Sequence, residues 1–312
     1  MRGPVVMGKV LISIGGPTGI GKTTWAIGLA RHYRAEILSA DSRQFYREIP
    51  IGTASPTLSE QEQAPHHFVG HLSVHDTYSV GDFRRDALER LRNLFKTHDI
   101  AILVGGSGLY LDAVTRGLDE FPEVEPRIRR ELNALWQDQG LEALQEMLRE
   151  KDPEYYSAVD RQNPHRLIRA LEVCLVAGRP YSSFLGKRKA PEFFKTIRLG
   201  IDAPRETVYR RIEQRVQAMV EAGLEDEARR LYPHRKVNAL QTVGYQEFFA
   251  YFDGKYDRDT ALEEIAKNTR RFAKRQLTWF RKDPEIHWIP YDAPLDQAIE
   301  YIDAQMKNLR HG

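Results

Sequence analysis

Cysteine is almost missing from this chain: Cys174 stands alone among 312 residues. A lone thiol excludes an internal disulfide and suits a reducing compartment. No apolar run approaches the ~20 residues of a membrane-spanning helix, and the stretch before Lys9 is too short for a secretory leader. The cytoplasm is therefore the expected location. An excess of one charge is missing too, because 46 Lys and Arg balance 44 Asp and Glu. That total says little about a polyanionic partner; the distribution says more. Acidic residues vanish between Ala266 and Lys282, where Lys267, Arg270, Arg271, Lys274, Arg275, Arg281 and Lys282 all fall.

Against these absences stands a phosphate loop. Gly16, Pro17, Thr18, Gly19, Ile20, Gly21, Lys22 and Thr23 spell G-x-x-x-x-G-K-T, preceded by the apolar run 10–14 and followed by a helical pattern from Thr24. In that strand–loop–helix context the glycines let backbone N–H groups face a di- or triphosphate. Lys22 adds a positive charge, and the Thr23 hydroxyl is placed to hold Mg²⁺.

Strand-like runs recur at 10–14, 37–40, 100–104, 197–201 and 286–289, with helix-period stretches at 24–33, 82–97, 109–115 and 205–222. The alternation predicts an α/β fold with a mainly parallel sheet, whose ligands sit at the carboxyl ends of the strands. From about 120 to 195 the pattern turns wholly helical, notably at 125–140, 141–150 and 164–176. The expected organisation is an α/β core at 1–119 and 196–312, interrupted by an all-helical insertion at 120–195.

Two further strand ends carry polar residues. Asp41, followed by Ser42, Arg43 and Gln44, reads either as a turn or helix cap or as a general base beside a phosphate ester. The next strand ends in Gly105-Gly106-Ser107, where nucleotide hydrolases of this fold place a Mg²⁺-holding aspartate. Its absence weighs against nucleotide hydrolysis. The glycines suggest close backbone approach to a ligand, or a simple tight turn.

His66, His67, His71 and His75 cluster, but in an extended-looking stretch without cysteine; packing or hydrogen-bonding roles are expected rather than structural zinc. Arg166 and Arg169 lie off the stripe of Leu167, Ala170, Leu171 and Cys174, as a solvated face or a phosphate contact. Arg211 and Arg215, one turn apart, could clamp a pyrophosphate. On 266–282 a basic ridge faces away from Ile265, Phe272, Trp279 and Phe280, which are expected to dock on the protein. A nucleic acid is the expected partner of that ridge, with a membrane surface as the alternative.

Taken together, the segments resemble the bacterial tRNA dimethylallyltransferases, also called isopentenyl-diphosphate:tRNA isopentenyltransferases. The matching pieces are GPTGIGKT at 16–23, DSRQFY at 41–46, IGTASPT at 51–57, PHHF at 65–68 and YSVGDFRRDA at 78–87. They continue with LVGGSGLY at 103–110, HRLIRALEV at 165–173, RIEQRV at 211–216, TVGYQE at 242–247 and AKRQLTWFR at 273–281.

The resemblance implies a P-loop NTPase-like core with a helical insertion. It also implies transfer of a dimethylallyl group from its diphosphate to the N6 amine of the adenosine just 3′ of the anticodon, in tRNAs reading codons that begin with U. Asp41, Lys22, Ser107 and Arg215 would be catalytic, with Mg²⁺ on Thr23. The residues implied to meet tRNA begin with Asp41, Ser42, Arg43, Gln44, Ser107 and Arg129. On the insertion they are His165, Arg166, Leu167, Ile168 and Arg169, with that domain gripping the anticodon stem. Near the end come Gln241, Thr242, Val243, Gly244, Tyr245 and Gln246, then Lys274, Arg275, Gln276, Leu277, Thr278, Trp279, Phe280 and Arg281.

Three positions depart from the family pattern: Ser107 for a usual threonine, Ser55 for a common lysine, and His165 for arginine or glutamine. A monomer is expected. A small-molecule P-loop kinase and a non-catalytic nucleotide-dependent RNA-binding switch are the competing readings.

Overall fold

The computed structural model describes residues 8–311. Its strands are β1 (Val10–Gly15), β2 (Ile37–Ser39), β3 (His66–His67), β4 (Ile100–Val104), β5 (Lys195–Asp202) and β6 (His287–Pro290). They form one sheet in the order β3-β2-β4-β1-β5-β6, and every pairing is parallel. The central strand β1, VLISIG, is buried along its whole length, as a strand covered on both faces must be. Parallel neighbours require crossovers, supplied first by α1 (Lys22–Tyr33), α2 (Leu58–Gln63), α3 (Val80–Leu94) and α4 (Gly108–Thr115). Because the chain visits both sides of β1, the loop after β1 lies where the strand order reverses, with β4 on one side and β5 on the other.

The chain divides into two compact units, one running to Thr115 and resuming at Pro191, the other Arg116–Ala190. The division falls a few residues before the boundaries expected from sequence. The two connecting segments run against each other: a Cβ on Gly117 would sit 2.3 Å from the Lys189 carbonyl oxygen.

The second unit is all helix: α5 (Pro126–Gln139), α6 (Leu141–Lys151), α7 (Pro153–Ala158) and α8 (Pro164–Ala177). Asn163 caps α8 by accepting from the Arg166 N–H, Pro164 opens it, and Gly178 closes it at φ 64°. Leu132, Leu144, Leu148, Leu167 and Leu171 form its own core, each worth ~1.5–3 kcal/mol on burial.

The first unit ends with α9 (Arg205–Glu221), α10 (Leu224–Leu231), α11 (Tyr245–Phe252), α12 (Arg258–Phe280) and α13 (Leu295–His311). Helix α2 escapes a search for apolar periodicity because none of its residues is buried; Thr57 and Glu60 make a capping box that sets its start. No helix among the described residues is long and apolar enough to cross a membrane.

Candidate functional site

The loop between β1 and α1 holds Gly19 at φ 79° and Gly21 at φ 95°, a region that side chains with a Cβ disfavour. These turns leave the amide-rich bend at the start of α1. Lys22 Nζ donates to the Pro17 carbonyl oxygen at 2.7 Å. Burial, opposed by Asp41 and reinforced by Arg215, lowers the Lys22 ammonium to about 7. Arg215, on α9, is also lowered by burial, with Asp41 opposing. Its Nη2 lies 3.5 Å from the Thr53 carbonyl oxygen. Arg211, one turn earlier, donates to the Gly19 carbonyl oxygen at 2.8 Å. Of the two arginines expected to clamp a pyrophosphate, Arg211 braces the loop itself, while Arg215 lines the cavity beside it.

That cavity measures about 80 Å³ and is walled by Lys22, Thr23, Asp41, His66 and Arg215 among others. A second, of about 550 Å³, shares Thr18, Asp41 and Arg215 with it and extends past Ser107, Val243, Phe272, Arg275 and Trp279. A third, of about 930 Å³, shares Gly19, Gly21, Thr23 and Arg215 and extends past Pro50, Leu58 and Met219. The phosphate loop therefore stands between two larger hollows.

Both sequence readings of Asp41 are compatible with its position. One carboxylate oxygen accepts from the Arg43 N–H at 3.1 Å, a local turn cap. The residue also borders the small cavity and the 550 Å³ one. Ser107 Oγ lies 3.4 Å from Ser42 Oγ across the same wall. Gln44 Nε2 donates to the Ala54 carbonyl oxygen at 3.1 Å. Arg43 reaches the Asn238 and Ala239 carbonyl oxygens at 3.1 and 3.0 Å, pinning the segment that leads into Gln241 and Thr242.

Several expectations need correction. The Gly105-Gly106 turn makes room for neighbouring protein, and the two glycines also border the 80 and 550 Å³ cavities. A Cβ on Gly105 would lie 2.6 Å from the Ala40 carbonyl oxygen, and one on Gly106 2.2 Å from Gln276 Nε2. Gln276 donates to the Gly106 carbonyl oxygen at 2.9 Å and accepts from the Thr18 N–H at 2.8 Å, so it clasps the phosphate loop to the end of β4.

On α12, Ile265 and Phe280 are buried, but Phe272 and Trp279 are 39% and 42% exposed. The helix crosses the strand ends, so part of its aromatic side borders the open 550 Å³ cavity. The basic ridge is partly neutralised: Lys267 pairs with Glu264 at 2.6 Å and Arg270 with Glu213 at 3.2 Å. Lys274, Arg275 and Thr278 are exposed, as is Arg281, whose Nη2 lies 3.5 Å from Asp202; Leu277 is half-buried.

Tyr245 and Phe280 are buried, so these side chains support the wall from behind. In the helical unit Leu167 and Ile168 are likewise core residues, while His165 and Arg166 are exposed. Arg129 makes a two-pronged ion pair with the buried Glu172, and Arg169 approaches the same carboxylate at 3.4 Å.

The histidines do pack or hydrogen-bond. His67 Nε2 lies 2.5 Å from Glu36 Oε2, His71 meets the rings of Phe45, Phe68 and Tyr78, and His75 meets His234.

Sequence reading missed Glu227. Its buried carboxylate accepts from Ile51 N, Gly52 N and Tyr245 Oη at 3.1, 2.9 and 2.5 Å, fixing the 51–54 loop against the cavity. The signal was available: Leu224, Glu227, Ala228 and Leu231 share one helical face, all buried.

The family model described as IPP transferase matches residues 44–283. The tRNA dimethylallyltransferase of Christiangramia forsetii is 54% identical over 300 residues, covering 96% of this chain and 99% of that protein. The tRNA dimethylallyltransferase of Flavobacterium johnsoniae is 48% identical, with 96% and 99% covered. Among solved structures, the tRNA isopentenylpyrophosphate transferase of Bacillus halodurans superposes with a TM-score of 0.71 at 34% identity, covering 97% of each chain. A eukaryotic dimethylallyltransferase acting on tRNA gives a TM-score of 0.82 at 25% identity, with 96% of this chain and 80% of that one covered. These relatives share the P-loop NTPase-like architecture and nearly the whole length of the chain, and with most of it inside the family model, the chain belongs to the IPP transferase family.

Proposed function

We propose that this protein is a tRNA dimethylallyltransferase. It moves a dimethylallyl group from dimethylallyl diphosphate to the N6 amine of the adenosine 3′-adjacent to the anticodon, in tRNAs reading codons that begin with U. The supporting observation is the joining of two spaces of different character at Asp41 and Arg215. One is a small cationic cradle on the phosphate loop, and the other is a 550 Å³ hollow with exposed aromatic faces at Phe272 and Trp279. The cradle suits a diphosphate; the hollow suits a purine.

The reaction balances on these residues. The allylic carbon–oxygen bond breaks and its electron pair leaves with the diphosphate. The adenine N6 lone pair forms the new bond to carbon, and Asp41 takes the N6 proton. Lys22, Arg215 and the loop N–H groups meet the charge that grows on the leaving group. Lys22 is easily discharged when the cradle is empty, and a diphosphate anion beside it favours the charged form.

Mg²⁺ binds with few protein oxygens and keeps waters and phosphates for the rest. The Thr23 hydroxyl on this cavity fits such a donor set, and among the described residues no cluster of three His, Cys, Asp or Glu offers an all-protein cage. When bound, Mg²⁺ neutralises diphosphate charge.

The acceptor base must leave its stack to reach the hollow. Trp279 and Phe272 offer it stacking surfaces, and Ser42, Ser107 and the 241–246 segment supply edge contacts from the same wall. Lys274, Arg275 and Arg281 are exposed for backbone phosphates. On the helical unit, Arg129, His165, Arg166 and Arg169 form the face that meets the anticodon stem by shape and charge.

A small-molecule kinase is disfavoured, since β4 ends without the carboxylate that organises a transferred phosphoryl group. Incubating the protein with unmodified tRNA, Mg²⁺ and either dimethylallyl diphosphate or ATP decides the matter. The expected result is a five-carbon mass increment on one anticodon-loop adenosine. Phosphate transfer from ATP without that increment would refute the reading.

A further inference from the structure

The 550 and 930 Å³ hollows are separated by a partition made of two parts. One is the backbone of the 51–54 loop, tied down by Glu227: Gly52 and Thr53 border the first hollow, Ile51 and Ala54 the second. The other is the face of α9 that carries Arg215 and Met219, since each of these residues borders both hollows. Arg215 also lines the cradle. Met219 is apolar, half-buried and without a part in the chemistry above.

Residues four apart on a helix share a face and lie ~6 Å apart along its axis, so Met219 stands one turn beyond Arg215. Four bonds of ~1.5 Å, foreshortened by their angles, carry a dimethylallyl tail about 5 Å from its ester oxygen. The cradle, at about 80 Å³, suits the diphosphate and leaves the tail to one of the hollows beside it. Beyond Met219 the wall is lower. Ala218 and Ala222 continue this side of α9 along the 930 Å³ hollow, with Pro50 and Leu58 also on its walls, an apolar path with room for further carbons.

Building on the transfer reading above, we propose that Met219 fixes the length of the transferred group at five carbons. With the diphosphate on Arg215, the terminal methyl groups meet the Met219 side chain, which closes the way into the 930 Å³ hollow. A second isoprene unit needs about 5 Å more and runs into it. A shorter residue at this position joins the two hollows and admits the ten-carbon geranyl group. The bond changes are the same for either donor: the allylic carbon–oxygen bond breaks with its electron pair leaving on diphosphate, N6 bonds to carbon, and Asp41 takes the proton.

The test uses the full chain, unmodified tRNA, Mg²⁺ and either dimethylallyl or geranyl diphosphate, with the digested nucleosides read by mass spectrometry. The wild-type protein should favour the five-carbon donor by about 100-fold or more in kcat/KM, as expected of a pocket that extra methylenes overfill. Met219→Ala should raise kcat/KM for geranyl diphosphate by about tenfold or more, with a ten-carbon increment on the same adenosine, while dimethylallyl transfer falls only several-fold. Met219→Leu, close in volume, should stay selective. Met219→Val should be intermediate, and it supplies the answer should Met219→Ala not fold. Adding Ala222→Phe to Met219→Ala refills the far hollow and should abolish the geranyl gain without changing dimethylallyl transfer.

Geranyl transfer by the wild-type protein as fast as dimethylallyl transfer would overturn the proposal. So would Met219→Ala and Met219→Val variants that transfer dimethylallyl yet gain nothing with geranyl diphosphate. A geranyl gain untouched by Ala222→Phe would route the tail elsewhere and overturn it too. Absence of dimethylallyl transfer by the wild-type protein would instead refute the reaction itself, and the proposal with it.

Discussion

Replacing Glu227 with alanine removes a carboxylate that accepts from Ile51 N, Gly52 N and Tyr245 Oη, with both Glu227 and Tyr245 buried. Each buried donor left without a partner costs ~1–3 kcal/mol. Water entering the vacated space relieves part of this, so Glu227→Ala should destabilise the α/β unit by ~4 kcal/mol, or ~8–16 °C in Tm at ~2–4 °C per kcal/mol for a unit of this size.

Tyr245→Phe removes one donor and should cost only ~1.5 kcal/mol. The double variant is the sharper measurement. Without Glu227 the tyrosine hydroxyl is a buried orphan, so deleting it as well should recover ~1 kcal/mol, making the double variant more stable than Glu227→Ala. Urea unfolding with constant m-values supplies these free energies.

The same knot should be felt in binding. Glu227 fixes Ile51 and Gly52, and the adjacent Thr53 and Ala54 carbonyls meet Arg215 and Gln44. Under conditions where Glu227→Ala is folded, its KM for dimethylallyl diphosphate should rise several-fold. A cost below ~1 kcal/mol, or a double variant whose loss equals the sum of the singles, would refute the assignment of this carboxylate as the tie of the loop.

Asp41→Ala should lower turnover by ~10²- to 10⁴-fold, the usual worth of a positioned base, while tRNA affinity in a filter-binding assay stays nearly constant. Gly106→Ala should displace Gln276, whose Nε2 a new Cβ would approach to 2.2 Å, and so release the Thr18 N–H. Calorimetry should then show weakened diphosphate binding in a folded protein, with Gln276→Ala giving the same defect. Metal-free diphosphate binding should weaken as pH rises through about 7, because Lys22 is charged below that value and neutral above it. The loss approaches tenfold per pH unit, with proton uptake seen in buffers of different ionisation enthalpy, and Lys22→Arg should flatten the profile. Trp279→Ala should raise the KM for tRNA by the equivalent of ~1–3 kcal/mol if a base stacks there, with little change in diphosphate affinity.

Local patterns carried much of the architecture. β-Branched and apolar runs marked five strands within a few residues, since a buried parallel strand has little freedom in composition. The two-residue β3 lacked that signal, and α2 is specified by its cap rather than by an apolar face. The phosphate loop was legible because its function lies in contiguous backbone. Gln276 was not legible as a clasp, because its partners Thr18 and Gly106 are 258 and 170 residues away in sequence. Phe272 and Trp279 look on a helical wheel like docking residues, and only the path of α12 over an open cavity leaves them exposed.

By itself the sequence determined the alternation of strands and helices, the phosphate loop, the helical insertion and the charge asymmetry of α12, because each depends on spacing within one segment. The tertiary structure decided which groups border the cradle and which only brace it, because these follow from distances between segments remote along the chain.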